Sequence, residues 1–163
     1  MVTKPAYTAG NFHWGAGVLG TIGADMAGFS TSLANAIISA TLRKQAFPAI
    51  RNTFFALFTA DPTDAFTAGT EVAAPWYQRV PTGAFAAPNN GATYNAVRAE
   101  FPPVTGAQVT VTHIGIMEGD SATDGTATLM YSEPLPNPRT LQINDVFVVD
   151  SQALTGDFTL QLL

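Results

Sequence analysis

A mainly β fold is predicted for this chain: an antiparallel β-sandwich or barrel-like module with one short N-terminal helix and an extended N-terminal arm. Three observations predict it. From residue 52 onward, short apolar segments recur between Pro, Gly and Asn at the spacing of a sandwich or barrel. A three-and-four spacing of small and apolar residues marks one clear helix, at Leu33, Ala36, Ile37, Ala40 and Lys44. Before residue 30, Pro5 and the glycines at 10, 15, 17, 20, 23 and 28 interrupt any regular period.

The arm, residues 1–29, cannot fold alone, yet it carries Tyr7, Phe12, Trp14, Val18, Leu19 and Ile22, more large apolar groups than a solvated linker tolerates. These six residues are the candidate partner-binding set: their side chains enter pockets on another protein and order the arm. The competing reading folds the arm back over its own domain, and a third takes Met26 as the translation start of related chains. Residues 30–163 then form the helix plus β-sandwich domain. Ser30 or Ser32 caps the helix, Arg43 and Lys44 suit the dipole of its last turn, and Pro48 stops it.

Strands are expected near 52–59, 76–82, 97–101, 108–117, 126–132, 139–143, 145–149 and 157–162. The first is apolar on both faces, so both of its sides must be covered. In the last, Phe158, Leu160 and Leu162 alternate with Thr159 and Gln161, which gives one dry and one polar face. Asn89-Asn90-Gly91, Gly119-Asp120, Asp124-Gly125 and Asn144-Asp145 supply turns. Pro134, Pro136 and Pro138 predict a stiff, extended surface loop between two strands.

Hydrophobic residues make up 47% of the 163-residue chain and charged residues 12%, about half the usual charged share of roughly 25% for a soluble domain. So little charge suits a surface partly covered by other protein, in a homo-oligomer or on a larger particle. The bland alternative is a small domain kept soluble by Thr, Ser and Asn. Net charge is −5, and the seven Lys and Arg residues are scattered, which disfavours nucleic acid as a partner. No apolar run is long enough to span a bilayer, and the N-terminus matches a secretory signal poorly. No membrane partner is expected.

The search for chemistry returns little. No cysteine is present, which removes thiolate catalysis and Cys-based zinc sites. His113 alternates with Val111 and Gly115 as a sheet-lining residue, and His13 has no acid beside it at a ligand spacing. Glu118, Asp120 and Asp124 cluster in one loop, but they do not match the helix-flanked calcium loop and read as a solvated turn. No Gly-x-Ser-x-Gly elbow or phosphate-binding glycine loop occurs. No catalytic, cofactor-binding or metal-binding residues are assigned, and no cofactor is expected.

From Phe29 onward the order of pieces resembles a family of tail-fibre proteins of tailed bacteriophages. The resemblance runs through the helix at Leu33 to Leu42, "FFALFTADPTDAFTAGTEV" at 54–72 and "WYQRVP" at 76–81. It continues through "AEFPPVTG" at 99–106, "VTHIGIMEGDSATDGTATLMYSEPLPNPRTLQINDVFVV" at 111–149 and "FTLQL" at 158–162. It implies a non-enzymatic, β-rich virion component assembled in the host cytoplasm and carried on the outer surface of the particle. It brings no catalytic residues, and the arm departs from it.

A receptor-binding fibre usually has a repetitive or heptad stalk, and neither is present here. The expected role is therefore capsid decoration or cementing, with the arm docked on the major capsid protein or another virion protein and the chain forming a homo-oligomer, by analogy a trimer. The alternative is a tail fibre or tail appendage that binds a host receptor.

Overall fold

In a computed structural model, the structure describes residues 29–67, 69–89 and 93–151. Helix α1 spans Thr31–Thr41 and is followed by strands β1 (Asn52–Phe58), β2 (Val80–Pro81), β3 (Ala99–Glu100), β4 (Val109–Gly119), β5 (Thr128–Leu141) and β6 (Val148–Val149). A four-stranded antiparallel sheet has the order β2-β1-β4-β5, and β3 and β6 form a second, two-stranded antiparallel sheet. The mainly β prediction with a leading helix holds.

β1 is central, which is why its sequence is apolar on both faces. Phe55 and Leu57 point into the larger core, which they share with Leu33 of α1, Ala99 of β3, Val149 of β6, Phe101 and Trp76. Ala56 and Phe58 point to the opposite side, where Met117, Ala127, Leu129 and the ring of Phe66 cover them. Phe66 meets Phe58 edge-on at 6.4 Å from a backbone with φ 57°, and the preceding Asp61 carboxylate accepts from the Thr63 amide at 2.8 Å to set the turn.

α1 starts as read. The Ser30 hydroxyl accepts from the Leu33 amide at 3.2 Å, and Ser30 is 2% exposed. Its end is a correction. The helix stops at Thr41, so Arg43 and Lys44 lie beyond it and do not serve its last turn. Lys44 takes φ 55°, and the Gln45 amide returns to the Ser39 carbonyl at 3.1 Å. The reversal comes before Pro48 has any part to play.

The proline segment is a second correction, because the expected strands at 126–132 and 139–143 are one strand, β5, running through all three prolines. β5 is an edge strand. The Met130 carbonyl faces outward to accept from the Ser30 amide at 2.9 Å, and strand alternation puts Pro134 on that same outer side, where no ladder donor is needed. Pro136 and Pro138 fall within a bulge: Val111 pairs with Arg139 but His113 with Pro134.

Residues 76–82 were expected to be extended throughout, yet only Val80–Pro81 pairs, opposite Phe55 and Phe54. Past that point other groups close the outer edge of β1. The Leu57 amide donates to the Tyr77 hydroxyl at 3.0 Å, the Leu57 carbonyl accepts from Val72 at 2.9 Å, and the Thr59 amide donates to Thr70 at 2.8 Å. A tyrosine side chain thus stands where a strand would otherwise run. The expected strand at 157–162 and the Asn89-Asn90-Gly91 turn lie wholly or partly outside the described residues. The turn at Asn144 is present, with φ 72°.

Candidate functional site

The six candidate arm residues, Tyr7, Phe12, Trp14, Val18, Leu19 and Ile22, lie outside the described residues. The structure instead brings together the polar residues of the segments that carry the family resemblance. Arg79 grips Glu71 through two bonds of 2.7 Å, Nε to Oε1 and Nη2 to Oε2, and its Nη1 donates to the Asp124 carbonyl at 2.8 Å. The Tyr77 hydroxyl donates to Glu71 Oε1 at 2.8 Å while accepting from Leu57. Both charged side chains are largely buried, at 11% and 17% exposed. The Glu71 hydrogen bond holds the Arg79 guanidinium above its usual pKa, and burial raises the Tyr77 phenol well above the ordinary tyrosine value.

A second cation lies beside this one. Arg51 Nε meets Glu118 at 3.2 Å, and its Nη1 meets Asp124 at 3.3 Å and Asp120 at 3.4 Å. The clustered acids of the β4–β5 turn therefore converge on a guanidinium of their own chain, which fills the role a bound cation would otherwise have. No group of metal-holding side chains occurs among the described residues. Asp124 also accepts from the Thr126 hydroxyl and from the amides of Asp120 and Thr126, at 2.7–2.8 Å. These bonds, Thr126 first, with Arg51 adding a smaller attraction, hold its pKa at about 2.

Arg51, Arg79 and Tyr77 each reach a partner far along the chain, at Glu118, Asp124 and Leu57, so the arrangement fastens the first strand, the Tyr77–Arg79 segment and the β4–β5 turn to one another. Sequence reasoning quoted Tyr77 and Arg79 as a motif but could not pair Arg79 with Glu71 or Arg51 with Glu118. The only signal was a shortage of charge, which makes any unscattered charge more informative. His113 lies in β4 between Phe58 and Pro134, its Nδ1 within 2.9 Å of the Thr112 hydroxyl. It lines the sheet as expected.

Two surface features remain. An open groove of about 520 Å³ runs between Arg51–Phe54 and Pro81–Gly83. Within it the Thr53 and Thr82 hydroxyls share a bond of 2.7 Å, and the Arg51 guanidinium is held by Glu118. The other feature is the strap from Leu42 to Arg51, exposed at every residue, from which Leu42 (74%), Phe47 (43%) and Ile50 (44%) project. Among the described residues the strap is the longest exposed run, and apolar contact with another surface is what it is equipped for.

No helix among the described residues is long and apolar enough to cross a membrane. No curated protein matches the chain. Residues 28–157 match the family described as podophage GP4 fiber I protein gp80. That span takes in the helix, both sheets and the whole Arg79–Glu71–Tyr77 and Arg51 clamp. The chain therefore belongs to the podophage GP4 fiber I protein gp80 family of bacteriophage structural proteins.

Proposed function

We infer that this protein is a non-enzymatic fibre component of a podophage virion, working as a rigid β module that binds other protein. The family match across residues 28–157 carries this reading. The geometry supports it: Arg79 and Arg51 are engaged by acids of their own chain, and large apolar side chains such as Leu42, Phe47, Ile50 and Ile143 are exposed. Such a module supplies stiffness and contact area.

The capsid-decorating role expected from the missing stalk gains nothing from the family match, whose description names a fibre, and the fibre reading is preferred. Binding of a host receptor and attachment through residues 1–29 belong to the same proposal. Quantitative mass spectrometry of purified particles tests it. A fibre component occurs in few copies, in proportion to tail proteins. Copy numbers that follow the major capsid protein would overturn the fibre reading in favour of decoration.

A further inference from the structure

Apart from Arg51, the strap between α1 and β1 makes few polar contacts with its own fold. Its backbone amides at Ala46, Phe47, Ala49 and Ile50 have no hydrogen-bond partner among the described residues. Backbone with open amides can pair with another surface. Arg43 and Lys44 stand beside Leu42, and they are two of three described cations without an ion pair among the described residues, the third being Arg139. The strap thus offers apolar groups at Leu42, Phe47 and Ile50 together with two uncompensated positive charges.

A surface of opposite character lies on the same chain, at the turn between β5 and β6. Ile143 (56% exposed) and Val146 (41%) flank Asp145, which has no cation partner among the described residues. The turn is pre-set. The Asp145 carboxylate accepts from the Gln142 amide at 2.7 Å, the Val104 amide donates to the Asp145 carbonyl at 2.9 Å, and the Asn144 amide donates to the Val104 carbonyl at 2.9 Å. A target already held in shape loses little freedom when bound.

We propose that the strap docks on a second copy of this chain, with Leu42 and Phe47 packing against Ile143 and Val146 and with Arg43 and Lys44 facing Asp145. Charge complementarity selects this occupant, because the chain is acidic overall at −5 and the strap is its uncompensated basic segment. The contact is heterologous, joining two different patches, and it generates a ring where the rotation between copies closes and an open chain of copies where it does not. The proposal deepens the fibre reading and rests on it for the setting in which the copies meet.

Sedimentation equilibrium of the purified full chain tests it without particles, so its failure leaves the fibre reading standing. The wild type is expected to self-associate reversibly. Phe47→Ser and the pair Arg43→Glu/Lys44→Glu should each weaken association by roughly tenfold or more. These positions are exposed, and unchanged circular dichroism confirms the fold. Asp145→Lys should weaken it alone, and mixing that variant with Arg43→Glu/Lys44→Glu should restore association between unlike chains. A wild type that stays monomeric up to about 100 µM, far above a micromolar affinity, overturns the proposal, as does association that survives the strap variants. Loss without restoration in the mixture overturns the pairing with Asp145.

Discussion

Adding a single methyl group to Gly115 should destabilise the whole sheet, because β4 passes too close to its neighbours there for any side chain. A Cβ at this position would lie 2.7 Å from the Tyr131 carbonyl oxygen, 2.8 Å from Phe58 Cε2 and 3.1 Å from Leu129 Cδ1. Ordinary carbon contacts are about 3.5–4.0 Å. The first obstacle is backbone in β5, which cannot swing aside, and the second is a ring with no exposed surface. Relief needs β4 and β5 to part or Phe58 to leave its rotamer.

Overpacking of this kind costs about 1–3 kcal/mol, occasionally more, and the entropy gained from Gly→Ala in the unfolded chain returns at most about 1 kcal/mol. Contact with fixed backbone puts the cost at the upper end, so the expected net loss for Gly115→Ala is about 2 kcal/mol, or a fall in Tm of about 4–8 °C at roughly 2–4 °C per kcal/mol for a chain of this size. Gly125→Ala is the matched control. Nothing lies within 4 Å of its added Cβ, so its effect should stay within about 0.5 kcal/mol. Calorimetry of the two variants beside the wild type reads the difference. Equal melting temperatures for Gly115→Ala and Gly125→Ala would refute the close strand packing on which the fold description depends.

Glu71→Gln leaves Arg79 largely buried without its counter-charge and should cost about 2–3 kcal/mol, somewhat below the value for a fully buried pair; in denaturant unfolding, Glu71→Gln/Arg79→Met should lose less than the sum of the two single changes. Ser30→Ala removes the helix cap and should cost about 1 kcal/mol, with faster amide exchange confined mainly to residues 31–41; uniform protection would contradict the assigned cap. The folded pKa of Asp124 is about 2, below its unfolded value. Its stabilisation is therefore complete above about pH 4 and lost as pH falls toward about 2. Across that window Asp124→Asn should lose less stability than the wild type, and parallel acid-unfolding curves would count against the assigned bonds.

Local signals were legible where local physics decides. Ser30 or Ser32 before the three-and-four pattern placed the start of α1 to within two residues, and the unbroken Phe54 to Phe58 run identified a strand covered on both faces. The end of α1 was not legible, because the left-handed turn at Lys44 carries no glycine to announce it. Prolines normally argue against a strand, and only the edge position of β5 and the bulge at Val111/His113 make them tolerable. Edge position is a property of the assembled sheet. The segment 76–82 misled in the same way: a strand was expected throughout, whereas at Leu57 the Tyr77 hydroxyl takes the place of one. The clamp of Arg51 on Glu118 joins residues 67 positions apart, which no single sequence discloses.

The most direct measurement is the position of this chain on the particle, seen by electron microscopy of virions carrying a gold-labelled tag on it. As a fibre component it should be marked at the tail or its appendages, in a pattern repeated from particle to particle. Label spread over the faces of the head, or absent from purified particles, would contradict the fibre account.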